Sequence, residues 1–344
     1  MEQQDILSMT LPELQAAVQE LSEPKFRAKQ IFNWLHQKRV TDFSEMTTLS
    51  LPFRERLASD FCINRLKIAK RLASSVDDTV KYLYELPDGN YVETVCMQYH
   101  HGTILCISTQ VGCRMGCRFC ASAIAGFVRN LTPAEMLLQI YETERAQNCK
   151  ISSLVLMGIG EPLDNFDNVL RFLQLLSDPN GYGMSLRHVT VSTCGVVPKI
   201  LELAEQRLGL TLSVSLHCPN DAGRSAIMPI NRSYPIDVLL DACQTYFEKT
   251  GRRVTFEYAV MDQVNSAKQD AAALAERLKG LHAHVNLIPI NPVKERNFHT
   301  LKKTVLQFQK TLERYGIPAT IRRTLGSDIE AACGQLRRDA IQQT

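Results

Sequence analysis

The sequence predicts an α/β protein whose main body is a partial (β/α)6 barrel. From about residue 130 onward, extended and helical stretches alternate in six or so βα units, the pattern of a parallel sheet. No G-x-G-x-x-G follows the first strand at dinucleotide spacing, which disfavours a dinucleotide-binding sheet. The unusual loops, namely the cysteine loop, GIGEP, STCG, SLHCPN and the NPV stretch at Asn291, all follow strands. Barrels keep their chemistry on those loops.

Three regions precede or make up this body. Residues 1–62 read as a small helical domain, 63–100 as a β-hairpin linker region, and 101–344 as the barrel with a C-terminal loop carrying Cys333. In the first, Leu11–Leu21 has apolar residues at helical spacing. Ser22 is placed to cap a second helix with Pro24 in its first turn. Phe26, Ile31, Phe32 and Leu35 form its apolar stripe, and a third helix is predicted from Leu51 to Phe61. Such a unit is either a packing appendage or a dock for an RNA backbone.

The period then changes. Val80, Tyr82, Tyr84 and Leu86 alternate, Pro87–Asn90 turns, and Tyr91–Tyr99 runs back as a hairpin. Glu93 lies in its second strand, where a carboxylate ordinarily faces water. A third strand, Thr103–Thr109, contains Cys106 and leads into the cysteine loop. Helices are predicted at Pro133–Ala146, Phe166–Leu176, Pro198–Gln206, Ile236–Lys249, Ala267–Lys279 and Val305–Tyr315. Strands are predicted at Ser152–Met157, Val189–Ser192, Leu210–Ser215, Val254–Val260, Val285–Ile288 and Ala319–Arg322.

Composition bounds the function. The chain has 344 residues, 45% hydrophobic and 22% charged, which reads as a globular protein with room for one large domain and one or two small ones. No apolar run reaches the ~20 residues of a membrane span. The amphipathic, acidic start MEQQDILSMTLPELQ does not read as a signal peptide. Eleven irregularly spaced cysteines without a secretion signal predict a reduced, cytoplasmic protein. Net charge is +3, but Asn291–Thr344 holds ten Lys/Arg against five Asp/Glu. That basic C-terminal stretch is either a phosphate-facing surface or a pair of solvated helix faces.

Cys113, Cys117 and Cys120 form a C-x3-C-x2-C triplet with Phe119 before the last cysteine. Structural zinc takes four ligands, usually in paired knuckles, and no second pair follows. Electron-transfer clusters are closed by four thiolates, so three leave one iron open to a reactant. The triplet with Phe119 resembles the radical S-adenosylmethionine signature, which implies a cofactor with an amino acid end, a ribose and an adenine. Gly160 allows close backbone approach and Glu161 can accept from an amino group. Ser192 and Ser215 offer hydroxyls, and His217 and Asn291 can hydrogen-bond a nucleoside. Strand-end residues of this kind are also common local caps. Cys333, in DIEAACGQL, and Cys106 are left outside the triplet.

STQVGCRMGCRFC, GFVRNLT, MGIGEPLDN, VSTCGVVP, SLHCPND, MPIN, FEYAVMD, VNLIPINP and DIEAACGQL occur in that order. Together they resemble the RlmN/Cfr family of radical S-adenosylmethionine RNA methyltransferases, and its RlmN branch in particular, over nearly the whole chain. The resemblance implies a radical SAM barrel with a [4Fe-4S] cluster on Cys113, Cys117 and Cys120. It implies two S-adenosyl-L-methionine molecules per turnover. It places Gly160, Glu161, Ser192, Ser215, Leu216, His217 and Asn291 on the cofactor and makes Glu93 a proton acceptor facing the barrel mouth. Cys333 becomes the methylated cysteine. Cys106 becomes the cysteine that resolves a protein–RNA crosslink, leaving a disulfide. The implied product is 2-methyladenosine in 23S rRNA and in tRNA. The implied partners are those RNAs and a reducing donor such as flavodoxin or ferredoxin, with the protein a monomer. Ile159 and Cys194 stand where Met and Ser are frequent. Glu161-Pro162 stands where the C8-methylating Cfr branch tends to read Glu-Ala, which favours C2. Competing readings are Cfr-type C8 methylation, a glycyl-radical activase and a non-catalytic iron–sulfur RNA-binding protein.

Overall fold

A computed structural model describes residues 3–289 and 300–329. A two-residue parallel bridge between β1 (Gln4–Asp5) and β2 (Phe61–Cys62) closes the N-terminal unit around three helices. In α1 (Leu11–Glu20), Thr10 and Glu13 form a capping box with Pro12 in the first turn, and Leu14 and Val18 are buried. The second helix, α2 (Phe26–Asn33), starts after Lys25, which makes no side-chain cap, and is not capped by Ser22. Ser22 is spent ending α1: its backbone is left-handed (φ 58°) and its N–H donates to the Gln19 carbonyl. The last turn of that helix widens at Trp34–Lys38, then α3 (Leu51–Asp60) leads to β2.

The apolar faces of these helices belong to one core with the barrel. The docking seam is also polar. Arg171 pairs with Glu13, the Ala134 N–H donates to Ser8 Oγ (3.2 Å), and His36 Nδ1 meets the Tyr141 hydroxyl at 2.9 Å.

β3 (Lys67–Ala73), β4 (Val80–Glu85), β5 (Tyr91–Tyr99) and β6 (Gly102–Cys106) form an antiparallel run. The sequence does not announce β3: KIAKRLA is polar and almost fully exposed because it is a sheet edge, where basic residues discourage further pairing. After β6, β7 (Gln110–Gly112) and β8 (Phe127–Asn130) form a short ribbon around the cysteine loop. Next come α4 (Pro133–Gln147), β9 (Ile151–Leu156), α5 (Phe166–Ser177), β10 (Val189–Thr193), α6 (Val197–Glu205) and β11 (Thr211–Ser215). The short α7 (Asp221–Ile227), α8 (Ile236–Thr250), β12 (Val254–Val260), α9 (Lys268–Leu278), β13 (Ala283–Pro289), α10 (Lys302–Arg314) and β14 (Ala319–Ile321) complete the described chain.

One ten-stranded sheet runs β14-β13-β12-β11-β10-β9-β6-β5-β4-β3, parallel from β6 to β14. Parallel neighbours need crossovers, which α4, α5, α6, α8, α9 and α10 supply. The alternation of each strand assigns its faces. Val191, Val214, Phe256 and Val285 pack under the helices, while Ser192, Ser213, Ser215 and Asn286 fall on the opposite, inner face. In β5, Val92, Thr94 and Cys96 take the helix side, where the Thr94 hydroxyl donates to Gln139 of α4 (2.9 Å). Glu93, Val95 and Met97 therefore take the inner side.

His36 is 1% exposed, and burial pulls its pKa from the ordinary 6.5 to about 4. The folded ring is neutral, so between those values the unfolded chain binds the extra proton. This stability is whole above pH 6.5 and lost as pH falls toward 4, at about 1.4 kcal/mol per pH unit. Urea titrations from pH 7.5 to 4 are expected to show that loss in the parent and a shallower one in His36→Phe.

Candidate active site

The cysteine loop is held at both ends. Cys113 N–H donates to the Gly126 carbonyl (3.0 Å), and Arg118 N–H donates to the Ile227 carbonyl of α7 (2.9 Å). At Gly112 (φ +83°) a Cβ would fall 1.8 Å from the Gly126 oxygen, so the turn admits glycine alone. Cys113, Cys117 and Cys120 are half-buried. Met115, Cys117 and Phe119 pack on an apolar pad of Cys194, Cys218, Ile227, Met228 and Met261. Burial, aggravated by Cys120 nearby, pushes the Cys113 thiol up to about 12 and that of Cys117 higher. Left to themselves these thiols stay protonated, whereas metal ligation deprotonates a thiol outright.

Soft sulfur donors gathered on one turn against a dry pad suit an iron–sulfur cluster. Among the described residues no three His, Cys, Asp or Glu side chains converge as a single ion would need. A cubane asks for something else, one thiolate per iron.

The GIGEP loop is seated directly against the start of the cysteine loop. Thr109 and Gln110 N–H both donate to the Ile159 carbonyl (2.9 and 3.1 Å). The close approach expected at Gly160 is to the chain itself: with φ +111°, its Cβ would lie 2.6 Å from the Gln110 Cβ. Gln110 Oε1 accepts from Glu161 N–H (2.8 Å), while its Nε2 donates to Asn130 and Asp164 (both 2.8 Å). Glu161 is 4% exposed. Its Oε1 accepts from Leu163 N–H (3.0 Å) and its Oε2 from Cys194 N–H (2.7 Å), joining the loops after β9 and β10. Burial raises its pKa and these backbone donors oppose the rise.

Ser192 pairs in register with Ser213, and Ser215 with Glu257, so both serines share the inner face. Ser213 Oγ and Asn286 Nδ2 donate to the Glu257 carboxylate (2.8 and 2.9 Å). Leu216 is buried and works through its backbone, donating to Glu257 O and accepting from Arg224 Nε. His217 has a left-handed backbone (φ 57°), and its ring lies 4.7 Å from that of Phe119, edge to face. Its Nδ1 accepts from Ala259 N–H (2.9 Å), so the neutral ring carries its proton on Nε2. Burial, then the nearby Arg224, lowers its pKa to about 3. Thus Glu161, His217 and the three cysteines gather at one end of the inner face.

Glu93 is not on a wet face: it is 1% exposed and pairs with Lys81 at 2.8 Å, both side chains fully buried. Cys106 lies on the same inner face, paired in register with Val95, two residues from Glu93. Asn291 and Cys333 lie outside the described residues.

Sequence reading missed Lys81, Gln110 and Arg224. Lys81 carried a readable signal. The turn at Pro87–Asn90 sets Leu83 opposite Glu93 and Lys81 opposite Val95, which makes Lys81 and Glu93 diagonal neighbours of opposite charge.

Residues 4–63 match the ribosomal RNA large subunit methyltransferase N-terminal domain, and residues 107–275 match the radical SAM superfamily. A "Probable dual-specificity RNA methyltransferase RlmN" from Lachnoclostridium phytofermentans is 50% identical over 99% of this chain and 96% of its own. A protein of the same name from Alkaliphilus oremlandii is 50% identical over 99% of this chain and 100% of its own. This chain belongs to the RlmN family. A solved radical SAM methyltransferase from Sphaerobacter thermophilus, 40% identical, superposes with a TM-score of 0.92 over 96% of this chain and 98% of its own. The fold is the radical SAM fold, and the cofactors of this RlmN-family chain are a [4Fe-4S] cluster and S-adenosyl-L-methionine.

Two expectations follow. Gly160→Ala forces a Cβ into Gln110 at a φ that alanine rarely adopts, and is expected to cost at least ~1–3 kcal/mol in urea unfolding. Lys81→Met removes the ammonium paired with the buried Glu93 and should cost about 3–5 kcal/mol. The double variant Lys81→Met/Glu93→Leu should regain most of that loss, as read by thermal melts.

Proposed function

We propose that this chain methylates C2 of an adenosine in 23S rRNA and of an adenosine in tRNA, with Cys333 as the methyl carrier. It is an RNA methyltransferase of the RlmN family. The observation that carries the residue-level reading is the shared inner face of Glu93 and Cys106, one strand upstream of the cysteine triplet. When bound, the cluster and S-adenosyl-L-methionine supply hydrogen-atom abstraction from an unactivated methyl group.

The chain's own residues do the rest. Cys113, Cys117 and Cys120 hold the cluster. Gly160, Glu161, Ser192, Ser215, Leu216, His217 and Asn291 hold the cofactor. The Glu161 carboxylate, pinned by two backbone N–H groups, keeps lone pairs for a methionine ammonium, and neutral His217 offers Nε2–H to a nucleoside acceptor. Glu93 accepts the proton lost from C2. The Cys106 thiolate attacks Sγ of Cys333; an S–S bond forms, the sulfur–carbon bond to the adduct breaks, and the carbon keeps the electron pair and takes the proton back from Glu93 to become the methyl group. The product base leaves and Cys106–Cys333 remains as a disulfide.

The N-terminal unit and the exposed Lys67, Lys70 and Arg71 of β3 are the proposed RNA surface, attracting phosphates without reading sequence. RNA loops let an adenine unstack at modest cost. The protein works as a cytoplasmic monomer fed electrons by a flavodoxin or ferredoxin; no described helix is long and apolar enough to cross a membrane.

Mass spectrometry of nucleosides from treated rRNA and tRNA is expected to show 2-methyladenosine; 8-methyladenosine would establish the Cfr-type alternative instead. Cys333→Ala should abolish RNA methylation while cofactor cleavage continues, and methylated RNA from that variant would overturn the covalent scheme. Cys106→Ala should co-purify with crosslinked RNA, and an RNA-free preparation counts against its resolving role.

A further inference from the structure

Arg224 is the largest fully buried side chain in the described protein, at 0% exposure. Its guanidinium donates from Nε to Leu216 O (3.2 Å), from Nη1 to Asn231 Oδ1 (2.9 Å), and from Nη2 to Cys194 O (2.6 Å) and Ser215 O (3.0 Å). Every acceptor is neutral. Among the described residues no carboxylate pairs with it. Asp221 is an electrostatic neighbour, but it makes no hydrogen bond to the guanidinium; its Oδ1 is taken by the Asn231 amide (2.9 Å) and by Ile236 N–H. A buried charge without a counter-charge is strongly destabilising.

The location supplies a counter-charge. Cys194, whose carbonyl takes Nη2, shares the apolar pad with Cys117 and Cys218. Ile227, one helical turn after Arg224, accepts from Arg118 N–H inside the cysteine loop and packs on the same pad. Three thiolates on a doubly positive cubane leave one net negative charge, and reduction makes it two.

We propose that Arg224 is the buried counter-ion of the cluster: a positioning residue that favours the reduced state by charge while bracing the loops after β10 and β11. The hydrogen bonds explain its orientation but not why a cation is kept where glutamine or methionine would avoid the burial cost. A site that becomes more negative on reduction gives that cation its partner, and the low local dielectric strengthens the attraction. The inference rests on the triplet holding a cluster.

The test is a redox titration of the reconstituted holoenzyme, followed by electron paramagnetic resonance, in the parent, Arg224→Met and Arg224→Lys. Arg224→Met is expected to shift the reduction equilibrium at least tenfold toward the oxidised form, about 59 mV for one electron. Arg224→Lys, which keeps the charge, should stay within threefold. A shift under threefold in Arg224→Met, or equal shifts in both variants, overturns the proposal. Urea unfolding of metal-free and reconstituted protein gives a second reading. Arg224→Met should narrow the gap between the two forms, and equal destabilisation of both would reduce Arg224 to a strut. If Arg224→Met does not fold, Arg224→Lys decides alone, and a tenfold loss there sinks the idea. A parent that takes up no iron on reconstitution refutes the cluster reading itself, whereas a loaded parent with an Arg224-independent potential refutes this inference alone.

Discussion

The site depends on a backbone-to-backbone contact between two strand ends. The segment after β6 and the loop after β9 lie so close that Thr109 and Gln110 both donate to the Ile159 carbonyl. A Cβ on Gly158 would fall 2.5 Å from the Ile107 carbonyl oxygen, and one on Gly160 2.6 Å from Gln110. Close approach permits the seam, and the seam sets the distance between the cysteine loop and Glu161. Gln110 spreads the constraint further, reaching Glu161, Asp164 and Asn130 at once. The glycines of this loop are thus explained by packing of the chain on itself.

Around that seam the protein keeps charge in places that exclude water. Glu161 is pinned by two backbone donors, Glu93 is matched by Lys81, and Arg224 is ringed by carbonyls. Neutral groups are held neutral by the same burial, as in His217 and His36. Each arrangement costs stability if a partner is removed, because desolvation of the survivor is no longer offset. The inner face therefore holds its polar groups in fixed positions before any ligand arrives, the condition under which electrostatic catalysis is effective.

Most of the fold was legible because helices and parallel strands carry strong periodic signals. Predicted ends fell within a few residues for most elements, as at Val254–Val260 and Ile236–Thr250. Edge and turn elements were not legible. β3 is polar because it is an edge, the β7–β8 ribbon is too short to show a period, and Ser22 caps nothing because it ends the helix before it. Among site residues, the cysteine triplet was readable from spacing. Lys81 was hidden because a lysine in a strand reads as surface until the hairpin register puts it diagonally opposite Glu93.

By itself the sequence determined the alternating α/β architecture, the thiolate triplet and the set of strand-end loops that carry polar groups. These follow from local spacing, which a chain states residue by residue. The tertiary structure decided which groups are buried and what each one faces. It turned Glu93 inward onto Lys81, set the His217 ring against Phe119, and placed a buried guanidinium held by neutral acceptors behind the cysteine loop. Those outcomes depend on strand register and on contacts between residues far apart in the chain, such as Gln110 with Glu161 and Arg224 with Cys194, which no local pattern encodes.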